Sequence, residues 1–67
     1  MNKIIYKIIR DHIQKSLLNI KHIISSLEYI KDYDSDIQKD VEKAMIKAQM
    51  LRGELNIIEY KLNKTLP

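Results

Sequence analysis

The stretch that decides the fold runs from Val41 to Leu62 and reads VEKAMIKAQMLRGELNIIEYKL. Its apolar residues recur with alternating gaps of three and four at Val41, Ala44, Ala48, Leu51, Leu55, Ile58 and Leu62. This heptad spacing predicts one apolar face on an α-helix. The same spacing recurs in a second set, with Gly53 in register, at Ile46, Met50, Ile57 and Tyr60. The stretch therefore predicts a single helix that carries two apolar stripes.

The N-terminal part of the chain predicts another amphipathic helix, over residues 3–31. A heptad seam with the same alternation runs through Tyr6, Ile9, Ile13, Ser16, Ile20, Ile23, Leu27 and Ile30. Leu17 and Ile24 widen this seam on one side, and Ile5 widens it on the other. A stripe of that width is typical of a helix that packs against a protein core.

The two helical patterns are separated by KDYDSD, residues 31–36. Asp and Ser favour turns and helix starts because their side chains compete for backbone hydrogen bonds. Ser35 and Gln38 match the capping box S-x-x-Q, and Asp36 adds negative charge to the first helical turn. We therefore predict a turn at about residues 32–35 and a second helix at about residues 36–63.

Two helices of equal length joined by a short turn predict an all-α fold, an antiparallel two-helix hairpin that forms the single domain of residues 1–67. With the turn centred near Asp34, the numbers of facing residues sum to about 68. The small Ala44 and Ala48 then face the large Ile24 and Ile20, as close packing requires. The predicted core of the hairpin consists of Ile9, Ile13, Ile20, Ile23, Leu27, Val41, Ala44, Ala48, Leu51, Leu55, Ile58 and Leu62.

The composition argues against several other architectures. The chain has 67 residues, with one glycine, one proline and no cysteine. Turn-rich β folds need more glycine, while disulfides, thiolate nucleophiles and cysteine metal sites need cysteine. The apolar run IIYKII at residues 4–9 is interrupted by Lys7 and followed by Arg10, and it is too short for a membrane span. We expect a soluble, cytoplasmic chain.

A lone hairpin of this length buries little apolar surface, and chains of this size rarely gain more than about 3–5 kcal/mol from a core. The second stripe on the second helix is left over, and we predict that a protein partner or a second copy covers it. The contact would complete a four-helix bundle or a helical complex, with Gly53 allowing close approach of the partner's backbone. The alternative is that these are ordinary exposed apolar residues. The predicted partner-binding residues are Ile46, Met50, Gly53, Ile57, Tyr60, Ile4 and Ile8.

The sequence predicts no catalytic, metal or cofactor site. A run that resembles a calcium loop consists of Asp32, Asp34, Asp36 and Asp40. A calcium loop needs glycine at its sixth position and glutamate at its twelfth, and this chain has Ile37 and Lys43 there. His12 and His22 are ten residues apart, whereas a helical metal pair needs a spacing of three or four. We expect the chain not to be an enzyme and to have no small-molecule substrate.

Charge is divided unevenly along the predicted hairpin, and the chain carries a net charge of +3. The open end contains the candidate anion-binding residues Lys3, Lys7, Arg10, Lys61 and Lys64. Either this end binds phosphates or an acidic partner, or its charged side chains are simply solvated. One alternative function is therefore a homodimeric hairpin that binds nucleic acid, in the manner of small plasmid-copy regulators. Another is a small phage-encoded or antitoxin-type inhibitor, for which no residue is diagnostic.

Part of the second helix resembles a known family. It is similar to the C-terminal helix of the small co-chaperones of type III secretion needle proteins, through Leu51, Gly53, Leu55, Ile57, Ile58 and Tyr60. The resemblance implies a helical hairpin that binds a helical-repeat chaperone and, together with it, keeps the needle subunit soluble. It implies partner contacts at Leu51, Leu55, Ile57, Ile58 and Tyr60. The function we expect is a non-enzymatic protein–protein interaction module, a small helical adaptor or chaperone-like subunit.

Overall fold

The computed structural model describes residues 2–65, which form two α-helices. Helix α1 spans Lys3–Lys31 and helix α2 spans Ser35–Thr65. The helices pack against each other along their length, so the predicted all-α antiparallel hairpin is confirmed. The range of α1 agrees with the predicted one, whereas α2 begins one residue earlier and ends two residues later than predicted.

Each helix begins at a side chain that accepts a hydrogen bond from the first helical turn. The Oδ1 atom of Asn2 accepts from the backbone N–H of Ile4 at 2.8 Å. The Oδ1 atom of Asp34 accepts from the backbone N–H of Asp36 at the same distance. The predicted cap at Ser35 is therefore corrected to Asp34, because aspartate is as good an N-cap as serine and a cap one residue earlier adds Ser35 to the helix.

The core lies in the middle of the interface between the helices. Ile20 and Ile24 of α1 are buried against Ala48 of α2, and Leu55 packs beside them. Tyr6 and Val41 are also buried, one near each end of the hairpin. The predicted core residues that lie half-buried are Ile9, Ile13, Leu27, Leu55 and Leu62.

Four predicted core residues are exposed instead. They are Ile23, Ala44, Leu51 and Ile58. At two of these positions the next residue along the chain is less exposed: Ile24 is buried and Met45 is half-buried. The reason lies in α1, where Leu17 and Ile24 widen the apolar stripe beside Ser16 and Ile23. Periodicity places all of these residues on one broad stripe but does not specify which edge of the stripe the other helix covers.

The hairpin is long and thin. It measures 50 × 14 × 10 Å, and the radius of gyration of its Cα atoms is 15.6 Å. A compact domain of 67 residues would have a radius of gyration of about 11 Å. Two helices form only one layer, so each side of that layer faces solvent along the whole length of the hairpin.

Candidate protein-interaction surfaces

The symmetry of the hairpin decides which exposed residues share a side. An antiparallel helix pair has a pseudo-twofold axis perpendicular to the plane of the two helices, so equivalent heptad positions on both helices lie on the same side. Ile23 lies three residues after buried Ile20, and Leu51 lies three residues after buried Ala48. A step of three residues rotates a side chain by about 60° to one side of the helix. Ile23 and Leu51 therefore lie on the same broad side of the hairpin.

We call this side the flat face. It comprises Ile5, Ile9, Ile23, Ile30, Ile37, Ala44, Leu51 and Ile58. Every seventh residue from Ile9 to Ile58 belongs to this face, and the series continues through the turn. The one polar residue in the series is Ser16. Ile23 is 48% exposed, and Leu51 and Ile58 are each 44% exposed. Half of each side chain thus lies against the hairpin and half is open to contact from above.

The opposite side of the hairpin is polar, and we call it the polar face. Helical geometry places on it Lys3, Lys7, Arg10, Gln14, Lys21, Glu28, Glu42, Gln49 and Asn56. Lys31, Gln38 and Glu59 are half-buried where this face meets the core. The hydroxyl of Tyr6 donates a 2.7 Å hydrogen bond to Oδ1 of Asn63 at the same boundary. The hairpin as a whole is therefore amphipathic, with one apolar and one polar broad side.

The second stripe predicted on α2 forms the outer edge of the hairpin, and we call it the outer stripe. It comprises Ile46, Met50, Gly53, Ile57 and Tyr60, and all five are exposed. A Cβ atom added to Gly53 would have nothing within 4 Å, so the space beside this glycine is open. Ile4 and Ile8, which were predicted to bind the same partner, are exposed on the far edge of α1. The structure does not bring them together with the outer stripe.

The basic residues of the open end are divided between two surfaces. Lys3, Lys7 and Arg10 lie on the polar face, whereas Lys61 and Lys64 lie on the exposed side of α2. The ammonium of Lys64 sits 4.7 Å from the centroid of the Tyr60 ring, a cation–π contact one helical turn apart. The predicted anion-binding set is therefore not one patch.

Two tyrosines mark the turn end of the hairpin. The hydroxyl of Tyr33 donates a 2.7 Å hydrogen bond to the hydroxyl of Tyr29, and the ring centroids are 5.1 Å apart. This hydrogen bond, together with a smaller effect of desolvation, raises the pKa of Tyr33 above its ordinary value of 10.0. Both rings are exposed, so the pair adds nothing to the core.

The chain matches no family model, no curated protein and no solved structure in the comparisons with known proteins. The residues that resemble the type III co-chaperone helix fall on three parts of the hairpin. Leu51 and Ile58 lie on the flat face, Ile57 and Tyr60 lie on the outer stripe, and Leu55 is half-buried in the interface.

No group of three or more His, Cys, Asp or Glu side chains among residues 2–65 is placed to hold a metal ion. Two hollows of about 280 and 270 Å³ are open to solvent, and the first is lined by α1 alone. Enclosed ligand sites are usually about 300–1,000 Å³ in volume. Neither of the two described helices is long and apolar enough for a membrane crossing.

Sequence reasoning found the outer stripe but missed the flat face. It assigned Ile23, Ala44, Leu51 and Ile58 to the core, although they lie on one side of it. The signal that could have identified these four residues is the seven-residue repeat from Ile9 to Ile58, which is apolar except at Ser16. In both helices this repeat lies three residues after the buried positions, and that offset places its members on one side of the antiparallel hairpin.

Proposed function

We propose that the chain is a non-enzymatic protein–protein interaction module, a small helical adaptor or chaperone-like subunit that is completed by contact with another helical surface. The observation that carries this proposal is the area the hairpin leaves in water. Folded monomers of 8.0 kDa expose about 4,500 Å². This chain exposes 5503 Å².

The excess of about 1,000 Å² is comparable to the area that one partner buries in a standard protein–protein interface, about 800 Å². Of the fifteen large apolar residues that are exposed in the described part of the chain, ten lie on the flat face or the outer stripe. Each has the anatomy of an interface, with large apolar side chains at its centre and charged residues along its rim. The five buried residues of the hairpin form too small a core to make the helices strongly stable by themselves.

The chaperone-like form of the proposal takes its partner from the resemblance of α2 to the type III co-chaperones. A helical-repeat protein would cover Leu51 and Ile58 on the flat face together with Ile57 on the outer stripe. The adaptor form needs only one of these surfaces. Both forms act through apolar contact and neither requires a cofactor.

Stability at low concentration tests the proposal. We expect the free energy of unfolding of the dilute chain, followed by circular dichroism in urea, to be no more than about 3–5 kcal/mol. The chain should gain stability by mass action when a partner is added. A monomer that keeps its full helicity above about 90 °C would contradict the proposal, because such a hairpin would need no partner.

Capture from the source cell tests which surface is used. Met50→Asp places a charge on the outer stripe, Leu51→Asp places one on the flat face, and Asn56→Asp places one on the polar face. We expect Asn56→Asp to capture the same protein as the unmodified chain. Loss of capture with either of the other two variants identifies the surface that contacts the partner, and equal capture by all three would reject both surfaces.

Binding of nucleic acid is the second candidate function. Lys3, Lys7 and Arg10 support it, because they lie together on the polar face where no apolar contact competes. Such binding would weaken steeply as salt is raised, since it depends on release of counterions from phosphates. Failure to bind short duplexes of RNA and DNA at low salt would reject this alternative.

A further inference from the structure

We propose that the flat face binds a second copy of this chain, with the open end of one hairpin over the turn end of the other, to form an antiparallel four-helix bundle. This inference rests on the proposed function and names the partner and the surface. The bundle would be symmetric, because the same face of each copy makes the contact.

The area that the hairpin as a whole leaves in water is enough to bind a second copy. The hairpin exposes about 1,000 Å² more than a compact monomer of its mass, and a stable dimer buries about 800 Å² on each partner. The flat face runs the full length of both helices, so a second hairpin covers it from end to end. Its residues are half-exposed rather than fully exposed, as in a bundle where each helix contacts two neighbours.

The net charge of the two halves favours opposite directions for the two copies. The open half, residues 2–17 and 51–65, has seven basic and three acidic residues and a net charge of +4. The turn half, residues 18–50, has five basic and six acidic residues and a net charge of −1. Copies stacked in the same direction would place +4 over +4. Copies stacked in opposite directions avoid this repulsion, although part of the open half's charge, at Lys3, Lys7 and Arg10, lies on the polar face away from the contact.

Side-chain sizes suit the opposed arrangement. Its twofold axis passes near the middle of the flat face, where Leu51 of one copy meets Leu51 of the other. At equal distances on either side of that axis, Ala44 of one copy comes opposite Ile58 of its mate. A small residue then lies opposite a large one, as close packing requires. On α1, Ile5 of one copy lies opposite Ile30 of the other copy at each end of the bundle.

Disulfide trapping tests both the surface and the direction, because the chain contains no cysteine of its own. Leu51→Cys places one thiol beside the twofold axis, within the distance of about 7 Å that a disulfide spans. Ile30→Cys is the matched variant on the same face. In the opposed arrangement, residue 30 of each copy lies 13 residues from the middle of α1, on opposite sides of the twofold axis. At a rise of about 1.5 Å per residue, the two thiols are then about 39 Å apart. We expect rapid disulfide-linked dimer for Leu51→Cys and little for Ile30→Cys.

Mass in solution provides the second test. We expect light scattering to give twice 8.0 kDa for the unmodified chain at high concentration, and a lower mass on about hundredfold dilution. Leu51→Glu should raise the dissociation constant at least about tenfold, because it buries a charge between the copies. Asn56→Glu adds the same charge on the polar face and should leave the dimer intact. If Leu51→Glu also unfolds the hairpin, the trapping experiment and the dilution of the unmodified chain still decide the question.

Several results would overturn the inference. A mass of 8.0 kDa at every concentration would reject a second copy, while low stability of that monomer would leave the proposed interaction function standing. Faster trapping of Ile30→Cys than of Leu51→Cys would reject the opposed direction. A dimer that survives Leu51→Glu but is lost in Met50→Glu would move the contact to the outer stripe.

Discussion

The hydroxyl of Tyr6 donates a hydrogen bond to Oδ1 of Asn63 at 2.7 Å, although 57 residues separate the two in sequence. Tyr6 is only 4% exposed, and the bond ties the beginning of α1 to the end of α2. We predict that Tyr6→Phe lowers the free energy of unfolding by about 1 kcal/mol, measured by urea denaturation. Amide exchange should accelerate at the open end before it does so elsewhere.

Tyr60→Phe is the control for this prediction, because its hydroxyl lies on the exposed outer stripe. It should change the stability by much less than Tyr6→Phe. Equal effects of the two variants would mean that the hydrogen bond to Asn63 contributes nothing measurable.

Two neighbouring isoleucines on α1 differ in burial and so show which side of this helix faces α2. Ile24 is 7% exposed, whereas Ile23 is 48% exposed. Replacing a buried isoleucine with alanine costs about 2–5 kcal/mol, which is enough to unfold an isolated hairpin. In dilute solution we predict that Ile24→Ala loses most of its helical circular dichroism signal and that Ile23→Ala keeps it. The opposite ranking would mean that α1 faces α2 through the side that carries Ile23.

The start of α2 provides a matched pair of cap variants. Because Asp34 accepts the hydrogen bond from the N–H of Asp36, Asp34→Ala should cost about 0.5–2 kcal/mol of stability. Ser35→Ala should be nearly neutral, since Ser35 is the first residue inside the helix. Thermal unfolding of the two variants checks this, and a larger loss with Ser35→Ala would restore the capping box that the sequence suggested.

Gly53 should be replaceable with a gain in stability. It lies within α2 without a positive φ, and an added Cβ atom would meet nothing within 4 Å. Gly53→Ala should therefore raise the free energy of unfolding of the hairpin by about 1 kcal/mol. If a partner's backbone approaches the outer stripe at this glycine, the same variant should bind that partner less tightly while being more stable alone. A destabilised Gly53→Ala hairpin would contradict the open space seen beside this residue.

The tyrosine pair at the turn predicts a pH effect. The pKa of Tyr33 is raised, first by its hydrogen bond to Tyr29 and then by desolvation, so the folded chain favours the neutral form. The contribution of this bond to stability is complete below the ordinary value of 10.0 and is lost as the pH rises through the raised pKa. In Tyr29→Phe, ultraviolet titration should show the pKa of Tyr33 returning towards the ordinary value. An unchanged titration would exclude the hydrogen bond as its cause.

The sequence predicted the two helices closely, because their signals are local. Alternating gaps of three and four, a single glycine, and aspartates at the turn all act within a few residues of one another. The ends of α1 agree with the prediction, and α2 differs by one residue at its start because Asp34 rather than Ser35 accepts the capping hydrogen bond. A choice between two good caps depends on the path of the turn, which the pattern does not specify.

The candidate surfaces were predicted only in part for a related reason. The outer stripe is opposite the seam in any helix, so Ile46, Met50 and Ile57 could be placed on an exposed edge from spacing alone. Ile4 and Ile8 could not be placed beside them, because the relative position of two helices is not a local property. The flat face could not be predicted either, because it also depends on the relative position of the two helices.

The sequence by itself determined that the chain forms two amphipathic helices with a broad apolar stripe on each, because periodicity and capping are set by neighbours along the chain. Only the tertiary structure decided which edge of each stripe is buried. The helices meet through Ile20, Ile24 and Ala48, which leaves Ile23 and Leu51 together on one side of the hairpin. The physical reason is that burial depends on the rotation of one helix against the other, which the local pattern of each helix does not specify.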